Sequence, residues 1–391
     1  MNIIIDLRPL ETGNRYRGFG YYIYNLFQHL PKLDKDNHYL CLICSKDNLL
    51  YPVIEKEPNC EAIIVPYPKW RPRLNWIYDH FALPFKIARR KFDLYISLDF
   101  NMPLMLKPLR PRVKLLGTIH DLIPFILWDE YDFAPDRALL YRIQLFAAKL
   151  SNEIITISKA SAEDIYKWLK VKPAKVHVTY LAVDDSYKPI KKNESDQVLN
   201  KYKISSPYIM TVGEYLGEDP RKNYDMLLGM LDIIKKKGSE KNLKIVYVGR
   251  DGGKHNEYEK IVNKMKKLGL EKDVIFTGFA PEEDMPALYG RAEAFIYPTR
   301  YEGFGLPILQ AMATGCPVIG ANNTSLPEVG GKAILLCETG NAEEFAEAYH
   351  KIQENRDHYV KLGHENVSHF SWDKTAEETL EIINKIASTI K

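Results

Sequence analysis

Glu302-Gly303-Phe304-Gly305-Leu306-Pro307-Ile308-Leu309-Gln310-Ala311-Met312 follows the apolar run Ala294-Phe295-Ile296-Tyr297-Pro298. Read together they make a buried strand, an acidic glycine loop and a helix start, the repeating unit of parallel α/β sheets. Such sheets bind ligands beyond the carboxyl ends of their strands, where this loop would lie. Gly303 and Gly305 lack Cβ atoms, so the backbone can bend and approach a ligand. Pro307 suits the first helical position, where its missing N–H costs nothing. The helix start aims unpaired N–H groups and partial positive charge at the loop, which favours a diphosphate. Glu302 can accept hydrogen bonds from sugar hydroxyls, and Gln310, placed in the first helical turn, could reach a ribose. An ordinary strand, glycine turn and helix whose acid serves as a cap has the same local pattern.

The alternation of apolar strands and amphipathic helices extends over the whole chain. Strands are expected at Ile3 to Asp6, Tyr39 to Cys44, Glu61 to Val65, Leu94 to Ser97, Val113 to Ile119, Glu153 to Ile157 and Lys175 to Thr179. After them come Tyr208 to Val212, Leu243 to Val248, Val274 to Thr277, Ala294 to Tyr297, Pro317 to Ile319 and Ala333 to Leu336. The charged, turn-rich stretch Ala182 to Ser195 separates the two sets and is the expected hinge. A chain of 391 residues is too long for one ordinary core, so two domains are expected: 1–190, completed by 373–391, and 191–372.

Composition limits the function classes. With 46% hydrophobic and 27% charged residues the chain reads as globular, and a net charge of +3 gives no argument for nucleic acid. Asp6 interrupts the apolar start where a signal peptide would continue, and no apolar run approaches a membrane span, so a cytoplasmic location is expected. Five cysteines make no disulfide framework, and the pair Cys41 and Cys44 reads as strand packing rather than zinc.

Three further stretches carry candidate chemistry. Arg221 and Lys222, in Pro220-Arg221-Lys222-Asn223, are expected at a helix start, where cations oppose the macrodipole unless an anion joins them; a solvated basic turn is the plain alternative. His120, in Gly117-Thr118-Ile119-His120-Asp121, ends an apolar strand and could donate to a sugar or phosphate through either ring nitrogen, or merely cap a turn. Arg15-Tyr16-Arg17-Gly18-Phe19-Gly20 reads as a loop before a helix from Tyr21 to Leu30, its glycines able to lie against a substrate and its arginines to meet phosphate. Other motifs fail. Gly18-Phe19-Gly20-Tyr21-Tyr22-Ile23 ends in isoleucine where the dinucleotide fingerprint needs a small residue, and Gly249-Arg250-Asp251-Gly252-Gly253-Lys254 has the wrong spacing for a P-loop. Asp34-Lys35-Asp36, the only DxD that could hold a nucleotide-bound metal, reads as solvated surface. No metal ligand set is expected.

Together these residues resemble the retaining glycosyltransferases of family 4, whose GT-B fold has two facing Rossmann-like domains with parallel sheets and a C-terminal helix that crosses back to the first domain. The resemblance rests on Gly18 to Tyr21, Thr118 to Pro124, Pro220 to Asn223, Tyr301 to Met312, Gly315 to Val318, Leu326 to Val329 and Phe370 to Trp372. It implies that Arg221 and Lys222 hold a donor diphosphate with the backbone amides of Gly303, Phe304, Gly305 and Leu306, and that Glu302 binds the donor sugar. His120 would contact the transferred sugar, Gly18 and Gly20 would help close the site, and Glu328 would lie near the nucleotide. Gln310 stands where the family usually has a second glutamate, and Glu214 where many members have an arginine.

The implied reaction is sugar transfer, with mannose favoured, from a GDP- or UDP-linked donor with retention of configuration. It uses no cofactor or metal and is assisted by the leaving phosphate. The implied acceptor is a glycan or a polyprenyl-diphosphate-linked glycan of cell-surface polysaccharide synthesis. Pro68 to Tyr78 and Phe85 to Lys91 mix aromatic and basic residues, a pattern compatible with an anionic membrane at the inner face of the cell membrane and equally with a solvated helix face. Alternatives are an epimerase or hydrolase of the same fold, which turns over donor alone, and a nucleotide-sugar-binding protein without catalysis.

Overall fold

The computed structural model describes residues 1–16, 18–68, 75–130, 135–205, 207–213, 220–238, 240–249 and 256–390. A first parallel sheet holds β1 (Asn2–Asp6), β2 (His38–Ile43), β3 (Cys60–Ile64), β4 (Leu94–Ser97), β5 (Lys114–Thr118), β6 (Glu153–Thr156) and β7 (Val176–Val178), in the order β3-β2-β1-β4-β5-β6-β7. A second holds β8 (Tyr208–Val212), β9 (Lys244–Val248), β10 (Val274–Phe276), β11 (Ala294–Tyr297), β12 (Val318–Ala321) and β13 (Ile334–Cys337), in the order β10-β9-β8-β11-β12-β13. Each expected strand is present, with ends shifted by no more than a residue or two.

The central strands are largely apolar because helices cover both faces of each sheet. Ile3, Ile4 and Ile5 are all buried although neighbours along a strand point to opposite faces, and so are Tyr208, Ile209 and Met210. In both sheets the order reverses beside the first strand. β1 pairs with β2 on one side and β4 on the other, with Ile4 opposite Leu40 and Tyr95; β8 lies between β9 and β11. Right-handed crossovers then place helices on opposite faces to the two sides of that point, and a crevice opens there at the carboxyl ends.

The chain forms two compact units: Met1–Leu122, Phe133–Leu181 and Ser371–Lys391 make the first, Ile123–Asp132 and Ala182–Phe370 the second. The division falls after Leu181 rather than at 190 because the segment that follows is tied to the second unit. Tyr187 packs on Tyr289, and its hydroxyl meets Glu282 at 2.5 Å. The helix Trp372–Ala387 packs on the helix Gly18–Leu33. There Trp372 lies 5.9 and 6.2 Å from the rings of Tyr21 and Tyr22, and Thr375 donates to the Tyr180 carbonyl at 2.6 Å. Asp34 is a correction: it is buried and accepts from Tyr39 and Asn37 at 2.6 and 2.8 Å, so it fastens a turn.

Candidate functional site

In the second unit the loops after β8 and β11 meet at the point where strand order reverses. Gly213 ends β8 at φ 140°, and a Cβ there would fall 2.2 Å from the Tyr224 hydroxyl oxygen, which restricts the position to glycine. Glu214 lies outside the described residues. Pro220–Lys222 forms a 3₁₀ turn, Asn223 follows at φ 53°, and only then does the helix Asp225–Lys236 begin. The basic pair therefore precedes the helix instead of opening it, and it already has an anion from within the chain.

That anion is Glu302. Lys222 Nζ donates to its Oε1 at 2.7 Å and to the Tyr297 hydroxyl oxygen at 3.1 Å. Arg221 Nη1 lies 3.4 Å from Glu302 Oε2 and from the Tyr301 carbonyl oxygen, and the Thr299 hydroxyl lies 3.0 Å from Oε1. Burial alone would push the Glu302 carboxyl up. The charges of Arg221 and Lys222, with hydrogen bonds from Lys222 and Tyr297, outweigh it and hold the group down at about 2. The loop is held from beneath: the Glu302 N–H donates to Thr324 Oγ1 at 3.1 Å, and the Ser325 hydroxyl sits 3.0 and 2.9 Å from the carbonyl oxygens of Glu302 and Phe304.

Gly305 then takes φ 95°, and the helix Leu306–Ala313 starts. Pro307 is its second residue rather than its first, still within the turn where N–H groups lack intrahelical partners. The amides of Gly303, Phe304, Gly305 and Leu306 thus belong to a helix entrance beside two cations. Phe304 itself is buried, its ring 6.1 Å from Phe370. Gln310 is the fifth helical residue, in the second turn; it is buried, and its Oε1 lies 3.4 Å from the Tyr289 hydroxyl. Glu328 sits half-buried in the first turn of the helix Leu326–Gly330.

The first unit carries the other expected residues. His120 follows β5, is buried, and places Nε2 3.0 Å from the Leu98 carbonyl oxygen. A carbonyl only accepts, so Nε2 is the donor, which leaves Nδ1 as an acceptor instead of two interchangeable nitrogens. Burial lowers its pKa to about 4, with partial opposition from the Leu98 bond, so the ring is neutral at pH 7. Tyr22 packs edge-on at 4.9 Å. Gly18 and Gly20 are not in a loop: they open the helix Gly18–Leu33, and a Cβ on exposed Gly18 would meet nothing within 4 Å. Arg17 lies outside the described residues.

Sequence reasoning missed two groups. Tyr297, Thr299, Thr324 and Ser325 support Glu302, and only their closeness to the quoted loops signalled them. At the carboxyl ends of β1 and β4, fully buried Arg8 forms a second cluster. Its Nε and Nη2 donate to Asp6 at 2.9 and 2.5 Å, and Nη2 also lies 2.9 Å from Asp79 Oδ1. Asn101 donates to Asp79 Oδ2 at 2.8 Å. Burial, opposed by Arg8 and reinforced by Asp6, pushes the Asp79 carboxyl up to about 7.

Comparison with known proteins matches "Glycosyl transferases group 1" to residues 194–368 and "Glycosyltransferase Family 4" to residues 16–187. O-antigen chain mannosyltransferase B of Escherichia coli is 31% identical over 240 residues, 60% of each chain. Serotype-specific mannosyltransferase WbdA of Escherichia coli is 26% identical over 205 residues, 52% of this chain and 24% of that protein. The matches thus span less than two thirds of either relative's length. Sucrose-phosphate synthase from Thermosynechococcus elongatus superposes with a TM-score of 0.73 at 19% identity over 100% of both chains. Anabaena HepE, solved with UDP and glucose, does so at 0.71 and 17% over 98% of this chain and 99% of that one. These likenesses carry the fold, and it is the expected GT-B class.

Proposed function

Because this chain belongs to the group 1, family 4 glycosyltransferases, we propose that it moves a hexose from a nucleoside diphosphate sugar to a cell-surface glycan, with retention of configuration. GDP-mannose is the first candidate donor, since relatives that match this chain are named as mannosyltransferases of O-antigen chains. A glycan acceptor, free or carried on a lipid diphosphate, follows from the same names.

The observation that carries this reading is the convergence of Lys222 and Arg221 on Glu302 beside the entrance of the helix Leu306–Ala313. In the transfer, the bond from the anomeric carbon to the β-phosphate oxygen breaks, and that oxygen gains negative charge. Buried Lys222, half-buried Arg221 and a helix entrance suit the departing diphosphate, a kind of preorganised stabilisation that contributes several kcal/mol. They supply the positive charge that a divalent metal would otherwise bring, so the reaction needs none. The acceptor oxygen bonds to the same face of the anomeric carbon, and its proton passes to the leaving phosphate oxygen.

Glu302 keeps both cations aligned, and it accepts from a sugar hydroxyl when one of its internal donors gives way. His120 offers Nδ1 as an acceptor to the transferred sugar. Gln310, Glu328, Gly18 and Gly20 keep the donor-side roles that the family pattern gives their positions. The test is incubation with GDP-mannose, an α-mannoside acceptor and a chelator, with the product's anomeric configuration read by NMR. An α-linked product supports the reading and a β-linked product overturns retention; consumption of donor without acceptor favours the epimerase or hydrolase alternative.

A further inference from the structure

The His120 ring is tied by one hydrogen bond, from Nε2 to the Leu98 carbonyl oxygen at 3.0 Å. That bond settles which nitrogen carries the proton, but a single bond leaves the plane of the ring free to swing about it. The direction of Nδ1, the acceptor that remains, then depends on what packs against the imidazole.

Two rings from one helix do so. Phe19 and Tyr22 stand three residues apart near the start of the helix Gly18–Leu33, a spacing that puts them on the same face. The Tyr22 ring meets the imidazole edge-on, with centroids 4.9 Å apart and planes at 87°, and the Phe19 ring lies 6.0 Å away at 43°. Both separations fall in the range where aromatic pairs attract. The two rings are inclined differently to the imidazole, so a swing of its plane cannot keep both contacts. Sequence reasoning gave Gly18 and Gly20 of this stretch the work of closing the site; it is the aromatic residues beside them that reach His120.

Tyr22 is itself fastened on its other sides. It is fully buried, its hydroxyl faces those of Thr118 and Thr179, and its ring lies 6.2 Å from Trp372. Thr118 ends β5 two residues before His120, so helix and strand are packed together where the histidine leaves the sheet. Trp372 opens the final helix Trp372–Ala387, which Thr375 anchors to the Tyr180 carbonyl. The imidazole thus rests on an aromatic pair that a strand and a second helix hold still.

We propose that Phe19 and Tyr22 are positioning residues for His120: they form an aromatic seat that fixes the plane of its ring and so the direction in which Nδ1 presents its lone pair. The consequence for transfer rests on the reading of His120 as a contact of the transferred sugar, whereas the seat is a property of the first unit alone.

The test follows the His120 ring by NMR and turnover by assay, side by side. With ¹⁵N-labelled histidine, the signals missing from His120→Gln identify this residue among the ten histidines. The parent is expected to show one neutral tautomer, protonated at Nε2, as a single sharp set. Tyr22→Leu should broaden or divide that set, and Phe19→Leu, at a half-buried position where the fold loses less, should change it in the same direction. With GDP-mannose and an α-mannoside acceptor both should lower kcat, Tyr22→Leu by about tenfold or more, while GDP affinity, a property of the second unit, stays the same. Tyr22→Phe keeps the ring and should restore the parent's spectrum and kcat. Phe27→Leu, a buried exchange on the same helix whose ring meets Tyr39 at 6.5 Å instead, controls for lost stability and should leave both as in the parent. A parent-like His120 signal in folded Phe19→Leu and Tyr22→Leu, or an equal fall of kcat in Phe27→Leu, overturns the proposal. If the variants disturb the His120 signal but the parent transfers no sugar, the seat stands and the transferase reading falls.

Discussion

Glu302 and Lys222 constrain each other more tightly than their sequence neighbourhood implies. Each is nearly buried, and neither charge is tolerable alone there. Glu302→Gln should therefore lower stability by about 3 kcal/mol at neutral pH, as read by urea unfolding, and a nucleoside diphosphate should recover part of the loss by pairing with the two cations. Because the carboxyl's pKa is depressed, to about 2, its stabilising contribution is present above about 4.5 and is lost as pH falls toward 2. The acid limb of the stability profile should accordingly flatten in this variant. Asp79 has the opposite sign: its pKa is raised to about 7, so stability falls as pH rises toward that value. Asp79→Asn should remove the drop in melting temperature between about pH 4 and 7, while a variant as pH-sensitive as the parent would contradict the charge assignment.

Among the elements, the thirteen strands were legible because buried parallel strands are near-continuous apolar runs bounded by turn residues. Their neighbours' contributions were not. Tyr297 gave no sign that it serves a carboxylate, because its contact depends on Lys222 arriving from another loop. Arg8 and Asp79 meet only because the turn Tyr78–Ala82 comes back over the end of β1. Gln310 falls just past the first helical turn, since the helix starts at Leu306, and its side chain lies against the Tyr289 hydroxyl. Two substitutions test element placement. At Gly305, φ is 95° and a Cβ would lie 2.8 Å from Leu326 Cδ2, so Gly305→Ala should cost about 1 to 3 kcal/mol and weaken donor binding at the helix entrance. Trp372→Ala should cost about 3 kcal/mol or more and release the final helix, seen as faster hydrogen exchange in Gly18–Leu33 and Trp372–Ala387.

Across the molecule, the same strand scheme occurs twice, and each copy gathers charge where its strand order reverses: Asp6, Arg8 and Asp79 in the first unit, Arg221, Lys222 and Glu302 in the second. Sequence pattern located the second cluster through its glycines and missed the first, which has no glycine-rich loop to announce it. The division of the chain was also only partly legible, because Ala182 to Ser195 reads as a linker yet is fastened by Tyr187. The central claim, that a nucleoside diphosphate is gripped by Lys222 and Arg221 at a helix entrance without metal, is most directly tested by calorimetric titration of GDP and GDP-mannose in the presence of a chelator, into the parent and into Lys222→Ala. Binding by the parent and a loss of about tenfold or more in the variant are expected; binding that requires a divalent cation, or equal affinity in both proteins, would contradict it.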